Sequence, residues 1–261
     1  MIDVKREGAI ARLVLNRSSH RNAMTTELMV ALREAALSVS ADATIRAVVI
    51  ESAGSDFSVG ADVSELQRML ADQQLDLLER RREAALGDSL LRAIRDIEQP
   101  TICAIQGVAT GAGASIATAS DFRVVAEDAR VGYGEVRLGM NLMWGALPAL
   151  IELIGPARAK QMVMSGALFH ANRLTDWGWA DEVCSASALA TVAGEWAARY
   201  AALPPVAVQM IKRSINRYAE ALGESIMHMD ADQWLLAAGS QDFREAVAAF
   251  QEKRPAVFKG D

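Results

Sequence analysis

The chain has 261 residues, 51% of them hydrophobic, and a formal net charge of -6. That length suits one large domain, or one domain with a small appendage, and the acidic balance argues against a general nucleic-acid binder. No run approaches the roughly 20 apolar residues of a membrane helix, and the opening MIDVKREGAI has no apolar signal-peptide core.

Two cysteines, Cys103 and Cys184, sit in apolar surroundings and read as small core residues of a reducing, cytoplasmic compartment. His20, His170 and His228 are scattered, and neither CxxC nor HExxH occurs, so no metal site is expected.

Residues 9–15 and 46–51 read as strands. Between them Thr25 can cap a helix whose Leu28, Leu32, Ala35, Ala36 and Val39 recur on one face. The segment GSDFSVGADVSEL (54–66) follows, a turn carrying Gly60 and Ala61, with Asp62 opening a helix. Residues 70–98 read as helical and charged, and ERRRE (79–83) as a solvated face or, alternatively, the border of a ligand entrance. A short apolar strand, Ile102 to Ile105, then runs into the glycine-rich turn at 107–113 and a helix of small residues. After a strand over 122–126 comes a loop with Gly132, Gly134, Glu135 and Gly139. Pro156 is placed to open a helix, 171–178 and 186–202 read as helical, and Pro204-Pro205 is the clearest linker signal. Beyond it the pattern is helical to about residue 250. Strands alternating with helices predict an α/β protein; no internal repeat is visible.

A strand feeding a glycine-rich turn into a helix aims backbone N–H groups at something negative, although the same turn can serve only to pack helix on strand. Dinucleotide, phosphate-loop and serine-hydrolase readings of 102–113 fail. The third glycine of the dinucleotide motif is missing, no Lys-Ser/Thr follows, and Ser115 lacks the GxSxG frame. What remains is two turns offering amides at helix starts and one carboxylate, Glu135, among glycines. Two convergent amides make an oxyanion hole. A carboxylate in apolar surroundings has its pKa raised toward proton transfer. The combination fits chemistry through an enolate.

The sequence resembles the crotonase, or enoyl-CoA hydratase/isomerase, superfamily. The matching segments run in order along nearly the whole chain: NRSSHRNAM (16–24), FSVGADVSEL (57–66), AIQGVATGAGASIATASDFRVVAEDARVGYGEVRLG (104–139), GPARAKQMVMSG (155–166), ANRLTDWGWADEV (171–183) and FQEKRPAVFKG (250–260). The resemblance implies a spiral of ββα units over residues 1–203 and a helical region over 204–261 that builds trimers, often paired into hexamers. It implies an acyl-CoA thioester as partner, with coenzyme A carried on the substrate and no other cofactor. The amides of Ala61 and Ala112 would then hold the thioester oxygen, and Arg21, Asp62 and Lys259 fall at coenzyme-A-binding positions. Members that hydrate carry a second glutamate where this chain has Ser115, and the first at Glu135. A lone glutamate at the latter position is typical of members that isomerise a double bond. Met143 stands where dehalogenase-like members carry an aspartate, which disfavours that chemistry.

Overall fold

The structure is a computed structural model describing residues 1–65 and 76–261. Strands β1 (Ile2–Glu7) and β2 (Ile10–Leu15) form a hairpin through Gly8, whose φ of 61° suits the tight turn. β2 pairs in parallel with β3 (Ala47–Ser52), and β3 with β4 (Thr101–Ile105). The sheet continues in parallel through β6 (Phe122–Ala126) to β9 (Glu182–Cys184). A second sheet holds β5 (Val108–Thr110), β7 (Arg130–Gly132) and β8 (Leu168–His170). Every residue of β4 is buried, as an inner parallel strand covered on both faces requires.

The two sheets are joined by a repeated winding. β4 leads directly into β5, then helix α4 (Ala112–Ala119), and β6 leads into β7 and then the short helical turn Glu135–Leu138. One unit earlier, the chain leaves β3 and makes a single parallel bridge, Ser58 to Ala109, on the edge of the second sheet. Each unit thus gives one strand to the large sheet, one extended segment to the small sheet, and a helical start. This is the spiral of ββα units.

Helix α1 (Thr26–Ser40) begins at Thr25, whose Oγ1 accepts from the Leu28 amide at 3.2 Å. Its buried face is the one expected, Leu28, Leu32, Ala35, Ala36 and Val39. The charged helix expected over 70–98 is α2 (Leu77–Ala84) followed by α3 (Leu86–Arg95); its positions 70–75 lie outside the described residues, as does Leu66 at the end of the helix opened by Asp62. Helix α5 (Ala146–Ser165) breaks at Gly155 (φ 76°, ψ 161°), so Pro156 opens a second helical segment. Then come α6 (Ala171–Asp176), α7 (Leu189–Ala201), α8 (Pro205–Glu220), α9 (Glu224–Met227), α10 (Asp230–Gly239) and α11 (Gln241–Glu252). Pro205 is the first residue of α8. The three-residue strands β5, β7 and β8 carry too little periodicity to be read from sequence.

Cys103 is buried and Cys184 half-buried; both are free thiols, and burial raises the pKa of each. No helix among the described residues is long and apolar enough to cross a membrane.

Candidate active site

The registered residues Ser58, Ala109 and Val131 stand side by side in the small sheet. Two residues beyond the first two, the chain turns at Gly60 and Gly111; four beyond the third stands Glu135. The winding therefore delivers both glycine turns and the carboxylate to one place. Gly60 has φ 89° and Gly111 φ 54° with ψ -117°, conformations that side chains resist. The turns also touch: a Cβ on Gly60 would lie 3.0 Å from the Thr110 carbonyl oxygen, and one on Gly111 would lie 3.7 Å from Gly60 Cα. Glycine is needed at both for close approach as well as for conformation.

Past each glycine lies an amide with no backbone acceptor among the described residues. Ala61 sits between Met24, whose N–H donates to the Gly60 carbonyl (2.7 Å), and Asp62, whose N–H donates to the Met24 carbonyl (2.9 Å). Ala112 is the first residue of α4, where helix geometry leaves the N–H unpaired and the dipole favours negative charge. Ala112 has no positive φ, so an alanine fits there without strain.

Glu135 closes the triangle. A Cβ on Gly111 would sit 3.2 Å from its Oε1, and its Oε2 is buried with no hydrogen-bond partner in the protein. Burial pushes its pKa up to about 7, opposed in part by its own backbone N–H. The carboxylate can therefore exchange a proton near neutrality. The strand leading to it is anchored below by Tyr133, whose hydroxyl meets Thr118 Oγ1 of α4 at 2.7 Å; Trp179 Nε1 donates to the same oxygen at 3.1 Å.

These groups line a cavity of about 800 Å3. Apolar side chains on its walls include Met29, Met140, Met143 and Trp144, with Trp234, Phe250 and Phe258 from the C-terminal region; Glu83, Arg137, Asn141 and Arg254 line it as well. Helix α11 packs behind the Glu135 turn, Gly139 being close enough to Phe243 that a Cβ would lie 3.2 Å from its Cα. These C-terminal contributors were missed in the sequence, where only the C-terminal FQEKRPAVFKG motif pointed toward them.

Of the residues singled out from sequence, Ala61, Asp62, Ala112, Ser115 and Glu135 all line the cavity. Ser115 is 2% exposed, and its hydroxyl donates to the Gly111 carbonyl at 3.0 Å. The Asp62 carboxylate pairs with Arg17 (2.9 Å) and caps the next helical turn through the Ser64 amide (3.0 Å). Arg21 and Lys259 are not among the cavity-lining residues. Arg21 donates to Asp56 at 2.8 Å with its side chain 58% exposed. The Lys259 backbone is tied to Asp242 at 2.7 Å, one residue beyond cavity-lining Phe258. No group of His, Cys, Asp and Glu among the described residues could hold a metal ion.

Residues 5–261 match the family model described as Enoyl-CoA hydratase/isomerase. The chain is 30% identical over 258 residues to crotonyl-CoA hydratase of Syntrophomonas wolfei, covering 98% of this chain and 97% of that protein. It is also 30% identical over 257 residues to 1,2-epoxyphenylacetyl-CoA isomerase of Escherichia coli, covering 97% and 96%. Its fold matches the crystal structure of an enoyl-CoA hydratase from Mycobacterium avium subsp. paratuberculosis with a TM-score of 0.88, at 25% identity and 99% and 98% coverage.

Proposed function

The chain belongs to the enoyl-CoA hydratase/isomerase family, and from that premise we propose that it moves a double bond within an enoyl-CoA, with Glu135 as the one acid-base group. As a family member it is an enzyme acting on acyl-CoA thioesters. Ionised Glu135 takes a proton from C2 of a 3-enoyl-CoA. The electron pair moves onto the thioester oxygen, which the amides of Ala61 and Ala112 hold as an enolate. When the enolate collapses, the double bond forms between C2 and C3, and the same carboxyl returns the proton at C4. No cofactor is needed beyond the coenzyme A on the substrate.

The observation that carries this reading is the inequality of positions 115 and 135. Glu135 has a buried, partnerless oxygen and a raised pKa, whereas Ser115 is a hydroxyl already donating to Gly111. A hydroxyl is too weakly acidic to serve as a second base near pH 7. Of the other cavity-lining acids, Asp62 and Glu65 are engaged, with Arg17 and with the Thr26 amide at 2.8 Å, and Glu83 is exposed to solvent. Exposed Arg21 and the Lys259 side chain are assigned to the coenzyme A phosphates. Residues 204–261 are assigned as the oligomerisation region of a homotrimer, single or paired. In support, α8 buries none of its residues, while Val206, Met210, Ile211 and Ile215 are each more than half exposed.

A second reading is hydration with a weakened water site, favoured by the hydratase names among the relatives. Parallel assays with 3-hexenoyl-CoA and crotonyl-CoA separate the two. Isomerisation should proceed faster than hydration; rapid hydration without isomerisation would overturn the proposal. Absence of turnover with tight thioester binding would instead make the protein an acyl-CoA binder.

A further inference from the structure

Two cavities meet at three residues, of which one is a tryptophan. Beside the large cavity lies a second of about 260 Å3, walled by α2, α3 and the start of α10. Among the described residues the two share Ala84, Met143 and Trp144, and the indole is the largest of these groups. It is seated on α3 where that helix is bare, since a Cβ on Gly87 would fall 1.9 Å from the ring.

The ring is held against the preference of its own backbone. Trp144 has φ 65° and Gly145 φ 64°, two left-handed residues in succession. The Gly145 N–H donates to Asp230 Oδ2 at 2.7 Å, and Arg95 Nη1 donates to the Gly145 carbonyl at 3.4 Å. A side chain there would be strained at this φ and would displace Met227: a Cβ would lie 2.3 Å from Met227 Cε and 3.2 Å from Asp88 Oδ1. The turn that carries the indole is thus clamped from α3 on one side and α10 on the other.

We propose that Trp144 is the specificity-determining residue for acyl-chain length, its indole being the partition that stops a chain passing Glu135 from entering the smaller cavity. The proposal rests on the acyl-CoA reading of the site. A thioester oxygen held at Ala61 and Ala112 with C2 at Glu135 leaves the acyl chain the rest of this cavity to occupy, where Met140, Met143 and Trp144 supply apolar wall. Past the indole the smaller cavity offers apolar surface from Leu78, Ala85 and Met227 that a longer chain could cover, alongside charged side chains such as Arg81, Arg82 and Asp88.

Calorimetric titration with saturated acyl-CoAs from butanoyl to dodecanoyl tests this without requiring turnover. In the wild-type protein, affinity should rise about fourfold per methylene until the chain meets the indole, then stop rising. In Trp144→Ala the break should move at least two methylenes longer, so that the first even-numbered chain past the wild-type limit binds about 15-fold tighter than to the wild type. Trp144→Phe should fall between them, and it carries the test if the alanine variant does not fold. An unchanged break point in folded variants overturns the partition while leaving the acyl-CoA site in place. Failure of the wild-type protein to bind any of these thioesters overturns the acyl-CoA reading, and the partition with it.

Discussion

Replacing Glu135 by glutamine tests both the chemistry and the electrostatics of the site. Burial raises the carboxyl from its ordinary 4.5 to about 7. A group raised in the folded state favours folding while protonated, and that contribution is lost as pH climbs from 4.5 through about 7. Between pH 5 and pH 8.5 the wild-type chain should lose about 2–3 kcal/mol of stability through this one group. Glutamine has nearly the same shape and does not titrate. Its amide, facing the partnerless position of Oε2, costs about 1–3 kcal/mol at either pH and cancels in the comparison. Urea unfolding of both proteins at the two pH values and one protomer concentration gives the difference directly. The variant should gain about 2–3 kcal/mol on the wild type between pH 5 and pH 8.5. Turnover of 3-hexenoyl-CoA should fall by about 10²–10⁴, and wild-type kcat/KM should rise with pH through about 7 as the base ionises. A stability difference that is the same at both pH values would refute the buried, uncompensated carboxyl, and retention of turnover would refute its role as the base.

Ser115→Glu should raise crotonyl-CoA hydration at least about tenfold, since general acid-base help contributes about 10²–10⁴ when well placed; unchanged hydration in a folded variant would show that the missing acid is not what limits it. Gly111→Ala forces a Cβ to 3.2 Å from Glu135 Oε1 at a φ of 54°. It should cost about 1–3 kcal/mol in thermal unfolding and about 10²–10³ in kcat as the Ala112 amide shifts, a prediction that a kcat within twofold of wild type would sink. Arg21→Ala removes an exposed side chain from the buried Asp56 carboxylate, which keeps the Ser55 hydroxyl and the Val108 amide as donors, so stability should fall by about 1–3 kcal/mol. KM should rise several-fold at low salt and converge with wild type at high salt, kcat staying level; a KM unmoved at low salt would remove Arg21 from the coenzyme A contacts.

The buried face of α1 was legible because five apolar positions repeat at the helical period and one threonine marks the start. The glycine turns were legible because backbone at positive φ leaves a compositional trace. The winding that unites them was not. Its equivalent points, Ser58, Ala109 and Val131, share a place in the hydrogen-bond ladder and no side-chain chemistry, so a structural repeat exists with no sequence repeat beneath it. The outer wall of the cavity was equally hidden. Phe250 and Phe258 are more than 100 residues from Glu135, and nothing local announces where an exposed-looking aromatic will fold back. Trp144 ran against ordinary reading altogether, because a bulky residue at φ 65° is held there by Asp230 and Arg95 and not by its own preference.

In the proposed mechanism the turns at Gly60 and Gly111 place the anion-holding donors on the main chain, where substitution of a side chain cannot delete them. Grip and reaction are therefore inherited separately. A lineage with this scaffold can exchange the residues at 115, 135 and 144, changing what is done and to which acyl group, while recognition of the thioester passes on intact. A saturation scan should show the division as two classes of position: the glycines, where almost every replacement abolishes all reactions together, and the few cavity side chains, where replacement alters which product appears.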